Sequence, residues 1–303
     1  MCGIVGWMGK NGPSADLGRT VLRMLAALDE RGPDSAGVAL YGNPSEGEMV
    51  LQVKLGDPRG AEHEDYSAVE DAVSASVPNA RRAESTAEYL RLVVDAPDDA
   101  VHLERSIEQA HPDVEVVSMG RALEIVKQVG SPRNLDETYD IASFQGTHGL
   151  GHTRLSTESR IDLSHSQPFW GHGRPDLAIV HNGHITNYHI LRRIYEQRGI
   201  RFYTDNDSEV IGIYLREQLD GGMDLREAME ASLVDLDGSF SYLAATPGAM
   251  GYARDPFALK PLLWAESDAF IAVATEEIAM RAALEGDYEV RETDAREVRV
   301  WQQ

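Results

Sequence analysis

The chain has 303 residues, 42% of them hydrophobic, with 50 acidic against 28 basic side chains and a formal net charge of −22. That length and apolar content suffice for one large domain or for a domain with a substantial insertion, and the acidity argues against nucleic-acid or anionic-membrane binding. A single cysteine, Cys2, excludes an internal disulfide and a CxxC-type metal site; with neither a membrane-length apolar run nor a secretory signal, the expected location is cytoplasmic.

In chain order, "CGIVGW" reads as a buried strand. Leu17, Val21, Leu25 and Leu28 recur at intervals of three and four, which predicts a helix over 15–31 stopped by Gly32. "SAGVALYG" and the alternating "MVLQVKLG" at 49–56 predict two more strands, so the N-terminal strand is expected inside a sheet. Residues 57–146 read as an insertion. Within it "YLRLVVDAP", "DDAVHLERSIEQA" and "DVEVVSMG" predict strand, acid-capped helix and strand, a βαβ-like unit over 89–120. From 148 the strand-rich pattern resumes with "HGLGHTRLST" and "LAIVHNGHI". Helices are predicted at 188–198, 207–220, 225–235 and 276–285, with strands at 239–246, 250–254, 261–265, 269–275, 287–292 and 297–302. Many short strands with helices in paired runs imply two stacked sheets covered by helices, an α+β layered fold.

Four places could carry chemistry. If Met1 is removed, Cys2 holds both a nucleophilic sulfur and an α-amine whose ordinary pKa lies at about 7.7–8.0, so one residue supplies nucleophile and base. The plainer reading of such a cysteine is a small buried apolar residue. Arg154 in "HTRLST" could clamp a carboxylate with two donors or simply face solvent. Asn182-Gly183, directly after the apolar "LAIV", could form an oxyanion hole or a hairpin turn. Asp207 could bind an ammonium group or cap a helix.

Taken together the segments resemble the class II glutamine amidotransferase domain of the N-terminal nucleophile hydrolases. The resemblance runs through "MCGIVG", "ERGPDSAG" at 30–37, "GHTRLST" at 151–157, "SQPF" at 166–169, "HNGHITN" at 181–187, "DSEVI" at 207–211, "DGSFSYL" at 237–243 and "ARDPFALKPL" at 253–262, in family order. It implies a four-layer αββα sandwich of two stacked antiparallel sheets occupying 1–303, interrupted by the 57–146 insertion. It further implies Cys2 as nucleophile, Asn182 and Gly183 as oxyanion donors, Arg154 on the glutamine α-carboxylate and Asp207 on its α-ammonium. Thr157 and His181 would line the pocket, Arg31 and Asp34 would support it, and no metal is required. Two departures stand out: Leu155 replaces the usual aromatic residue, and Glu158 stands where a small residue or histidine is usual.

"VVSMGRALEIVKQVG" is more similar to stand-alone subunits of the glutamate-synthase type. No P-loop, dinucleotide fingerprint or flavin signature is evident, so the chemistry that uses the ammonia is expected on separate subunits of a hetero-oligomeric complex. Glutamate synthase and N-methylglutamate synthase assemblies fit, with no cofactor in this chain and FMN, an iron–sulfur cluster being left open, on the partners. The alternatives are a non-catalytic structural or regulatory subunit that keeps the fold, and an N-terminal cysteine hydrolase of a different amide.

Overall fold

The computed structural model describes residues 2–43, 46–56, 66–155 and 162–303. Its elements run β1 (Gly3–Gly9), α1 (Leu17–Ala26), β2 (Ser35–Tyr41), β3 (Glu48–Lys54), α2 (Ser67–Ser76), β4 (Arg82–Thr86), β5 (Tyr89–Asp95), α3 (Ala100–Glu108), β6 (Glu115–Gly120), β7 (Leu123–Val129) and α4 (Pro132–Tyr139). They continue with β8 (His148–Arg154), β9 (Phe169–Trp170), β10 (Ala178–Ile185), α5 (Tyr188–Gln197), α6 (Ser208–Asp220), α7 (Leu225–Asp235), β11 (Gly238–Thr246) and β12 (Ala249–Arg254). β13 (Leu263–Glu266), β14 (Phe270–Ala274), α8 (Glu277–Ala283), β15 (Val290–Glu292) and β16 (Val298–Gln302) complete the order.

β1 lies in the middle of a seven-stranded sheet ordered β15-β13-β14-β1-β8-β2-β7. Every residue of "GIVGWMG" is buried, which is why it reads as an unbroken apolar run: both of its faces are covered. One face carries α1, α4 and α8, and the other meets a five-stranded antiparallel sheet, β16-β12-β11-β10-β9, backed by α6 and α7. The sheets touch closely at Gly6, where an added Cβ would lie 3.0 Å from Leu243 and 3.1 Å from the Met250 sulfur. This is the αββα sandwich of antiparallel sheets.

The apolar period of the first helix buries Leu17, Val21 and Leu25 completely, each side chain contributing about 1.5–3 kcal/mol of transfer energy. The helix is shorter than the 15–31 that the spacing predicts. After Ala26 the hydrogen bonds tighten: Leu28 N–H reaches Leu25 O and Arg31 N–H reaches Leu28 O, closing a 3-10 turn over Asp29–Arg31. That turn carries Arg31 back toward the start of β1.

A third sheet, β4-β5-β3-β6, is antiparallel throughout. β5 and β6 both flank β3, so the βαβ-like unit of 89–120 is split: α3 links two parallel strands that have β3 between them. The sheet's strands span 48–120, and β7 returns to the large sheet beside β2, pairing Val126 with Val38. At its inner end Lys54 Nζ lies 3.2 Å from Glu115 and donates to Ser164 Oγ at 2.6 Å, which ties this sheet to the segment leading into β9. Burial pushes the Glu115 carboxyl up, but Lys54 and Lys127 outweigh it and hold the group down at about 2.

Candidate active site

Cys2 stands at the mouth of the central strand. Gly3 pairs with Thr153 of β8, and on the other side Ile4 N–H donates to Thr275 Oγ1 at 2.9 Å while Thr275 N–H donates to Ile4 O at 3.0 Å. Residue 2 is thus positioned by backbone ladders that begin immediately after it. Two side chains from distant elements then converge on its carbonyl oxygen: Arg31 Nε at 3.3 Å and Asn182 Nδ2 at 3.4 Å. Arg31 is itself fixed by an ion pair with Glu276.

Asn182 and Gly183 lie within β10, paired with Ser241 and Phe240 of β11, so the hairpin-turn alternative for Asn-Gly does not apply. Gly183 has φ +143°, and an added Cβ would lie 2.3 Å from Ser239 O and 2.5 Å from Phe240 Cα. Only glycine fits there.

Arg154 ends β8 with 5% of its surface exposed. Extending the Gly3–Thr153 register by one residue places it opposite Cys2. Its backbone is gripped by the "RGPDS" loop: Asp34 N–H donates to Arg154 O at 3.1 Å, and a Cβ on Gly32 would lie 2.6 Å from Arg154 N. Asp34 also accepts from Gly130 N–H through its carbonyl. Leu155, next along, is 42% exposed. Thr157 and Glu158 fall outside the described residues.

Asp207 immediately precedes α6, yet its side chain makes no capping hydrogen bond. Oδ2 instead accepts Ile185 N–H at 2.7 Å, and the carboxylate lies 3.8 Å from His181 Nδ1 and 3.7 Å from His184 Nδ1. The carboxylate is thereby bound to the end of the strand that carries Asn182 and Gly183. An open hollow lined by His184, Thr186, Tyr188, Arg192, Asp205 and Asp207 adjoins it. A second hollow, lined by Gln52, Arg91, Glu124 and Tyr139, lies against the third sheet and contains none of these residues.

Burial holds two histidines below their ordinary range. His152 falls to about 3, and His181 is lowered although Asp207 opposes the effect. Both are predominantly uncharged at neutral pH. Among the described residues no group of three or more His, Cys, Asp or Glu side chains could hold a metal ion, and no helix is long and apolar enough to cross a membrane.

The sequence matches the glutamine amidotransferase domain family over residues 152–282. A protein of Methanothermobacter thermautotrophicus that carries a provisional glutamine amidotransferase name is 38% identical over 311 residues, covering 100% of both chains. This chain belongs to the glutamine amidotransferase family. The glutamine amidotransferase-like protein GlxB of Rhizobium meliloti is 34% identical, covering 100% of this chain and 95% of its own. Among solved structures, the allosteric regulatory enzyme of purine biosynthesis superposes with a TM-score of 0.66 at 19% identity. The match takes in 99% of this chain and 47% of that one, a likeness of fold.

The chain brings Cys2, Asn182 and Arg31 together directly, with Gly183 and Asp207 bound to the same strand end. Four further polar residues bear on these groups: Gln167 of "SQPF", Ser208 of "DSEVI", His152 of "GHTRLST" and Glu276, none of which has a role that the sequence alone assigns. Each acts by hydrogen bonds or charge on a neighbour: Gln167 and His152 reach the His181 main chain, Ser208 the His181 ring and Glu276 Arg31. Gln167, Ser208 and His152 are polar residues at buried positions, whereas Glu276 is partly exposed.

Proposed function

We propose that the chain, once Met1 is removed, hydrolyses glutamine through Cys2 and passes the ammonia to a separate synthase subunit. The Cys2 α-amine takes the thiol proton, and the thiolate attacks the γ-carboxamide carbon of glutamine. The oxyanion so formed is met by Asn182 Nδ2 and the Gly183 N–H. As the tetrahedral adduct collapses, the C–N bond breaks and the amide nitrogen leaves as ammonia with the proton held by the amine. Water then cleaves the thioester to glutamate and regenerates the thiol. Arg154 holds the α-carboxylate, Asp207 the α-ammonium, and His181 and Thr157 line the pocket.

The observation that carries this reading is the convergence of Asn182 from one sheet and Arg31 from the first helix turn on residue 2. Both bonds are to the main-chain carbonyl, so they fix the position of residue 2 beside Asn182 and leave the thiol free of them. For the clamp, Arg154→Lys is expected to raise KM for glutamine about tenfold or more with little change in kcat, since an ammonium cannot reproduce the planar pair of donors. An unchanged KM removes Arg154 from the clamp.

The partner is proposed to be a glutamate-synthase-like or N-methylglutamate synthase subunit bearing FMN, with the 57–146 segment as the contact. Ammonia released into water is protonated and lost, so an enclosed path between subunits is required, and docking is expected to close the cleft. Intact-mass analysis and pull-down from the native host test both halves. A mature chain starting at Cys2 and co-purifying with a flavin-containing subunit is expected. Retention of Met1 in a glutaminase-active protein overturns the amine-base mechanism, and a fully active chain without partner overturns the assembly. Feeding the complex ammonia or methylamine then separates the two products.

A further inference from the structure

We infer that Gln167 is a positioning residue of the glutaminase site, its side-chain amide standing in for a missing strand residue beside His181 and fixing which imidazole nitrogen carries the proton. The inference rests on the glutaminase reading for its kinetic consequence, but its structural content does not depend on activity.

β9 pairs with β10 only at Ala178–Trp170 and Ile179–Phe169. Continuing that antiparallel register would set residue 167 opposite His181, but Pro168 has no N–H to continue a ladder. The Gln167 side chain makes the pairing instead. Its Oε1 accepts His181 N–H at 2.6 Å and its Nε2 donates to His181 O at 3.2 Å, so both main-chain groups of His181 are satisfied by one amide. The Gln167 main chain is seated by a close approach from the other sheet, since a Cβ on Gly37 of β2 would lie 2.2 Å from Gln167 O. His152 Nε2 lies 3.2 Å from the same His181 carbonyl, and as that oxygen can only accept, the ring donates from Nε2.

The second Nε2 proton of Gln167 goes to Ser208 Oγ at 3.1 Å. Ser208 Oγ lies 2.7 Å from His181 Nδ1, and in the proposed relay it donates its hydroxyl proton there. The neutral His181 ring then carries its own proton on Nε2, which meets no hydrogen-bond partner among the described residues. Gln167 therefore links three things: the strand residue immediately before Asn182-Gly183, the helix residue immediately after Asp207, and the imidazole between them. All three of its residues are buried, with Gln167 at 4%, His181 at 2% and Ser208 at 1% exposure. A drift of the β10 edge away from α6 would move the oxyanion donors relative to the ammonium site.

Gln167→Glu separates a positioning role from mere packing because it makes the amide's donor function titratable. When protonated, the carboxyl can accept from His181 N–H and donate to Ser208 or His181 O. As pH rises it ionises, accepts only, and reverses the Ser208 hydroxyl. The charged and titratable groups around it are His181 and His184 on β10, His152 and Arg154 on β8, Asp207 ahead of α6, Lys260 in the loop after β12, and His165 with Asp162 in its own segment. With His181 and His152 neutral, Arg154 and Lys260 are the cations among these groups and oppose the effect of burial, which raises the titration of a carboxyl at this 4% exposed position.

In the full-length Cys2-mature protein, Gln167→Glu is expected to lose about tenfold or more in kcat/KM for glutamine between about pH 6 and about pH 8.5, along a transition absent from the unsubstituted protein. Gln167→Met, of similar size without the hydrogen bonds, is expected to lose on the order of 10²-fold at every pH. Nitrogen-15 NMR of His181 is the reading independent of activity: Nε2–H in the unsubstituted protein, with the Nδ1–H form appearing in Gln167→Glu as pH rises and in Ser208→Ala. If the unsubstituted protein lacks glutaminase activity, the functional reading fails, and the spectrum alone decides the relay. Wild-type kcat/KM within about twofold across the pH range in both Gln167 variants, or an unchanged His181 spectrum in Gln167→Glu and Ser208→Ala, overturns the inference.

Discussion

Cys2→Ala is expected to abolish glutamine hydrolysis, by on the order of 10⁴-fold or more, and to abolish covalent labelling by a glutamine-like diazoketone, while leaving thermal unfolding nearly unchanged. The two halves of this result follow from different atoms. Residue 2 is held through its carbonyl, by Arg31 and Asn182, and through the ladder that starts at Gly3. None of those bonds involves sulfur, so alanine keeps them all. The thiol is the only group on the residue that can form the thioester, and Cys2 is the only cysteine in the chain. An alanine variant that hydrolyses glutamine near the wild-type rate, or still takes the label, defeats the assignment.

Asn182→Ala is expected to lower kcat by about 10²–10³-fold with a much smaller effect on KM, the signature of a donor that acts on charge developing in the transition state. The structural background supports a local effect: the strand on both sides of Asn182 is paired to β11, and Gln167 holds His181 beside it. Asn182→Asp sharpens the comparison. It keeps the size of the side chain but exchanges a donor for an acceptor that repels an oxyanion, so its loss should exceed that of alanine. Equal, small losses in both variants measured by steady-state kinetics would remove Asn182 from the oxyanion hole and leave Gly183 as the remaining donor.

How far the sequence could be read depended on the range of the interactions. The predicted helices at 188–198, 207–220 and 225–235 lie within about a residue of α5, α6 and α7, because their apolar spacing or caps are local. α7 has a complete capping box, with Glu227 N–H on Asp224 and Glu227 Oε2 receiving Asp224 N–H. α4 escaped notice although Pro132 sits in its first turn, since only Pro132 and Leu135 are buried and no stripe forms. In β7 the fully covered Lys127 breaks the apolar pattern. The placement of β3 between β5 and β6 is a long-range pairing that no local pattern encodes.

The site divides in the same way. Cys2, Arg154, Asn182 and Asp207 could be named because each residue type suits a chemical task. Among the residues that position them, Arg31 is expected only through the family resemblance, and Gln167 not at all: Arg31 reaches Cys2 across 29 positions and Gln167 reaches Ser208 across 41. Asp207 looked equally suited to capping α6, and only the fold directs its carboxylate to Ile185.

The place of β1 between β8 and β14 has a bearing on the order of events during synthesis. Its partners are remote: Ile4 and Thr275, joined by three hydrogen bonds, are 271 positions apart. A strand that emerges early must wait for nearly the whole remaining chain before its second neighbour exists, and such non-local pairing is slow to form. Throughout that wait the residue-2 end is an unpaired chain terminus or linker, open to an aminopeptidase. Once β14 has paired with β1, residue 2 is framed by a sheet, Arg31 and Asn182. The proposed removal of Met1 is therefore expected before β14, the strand that completes the sheet around β1, has paired.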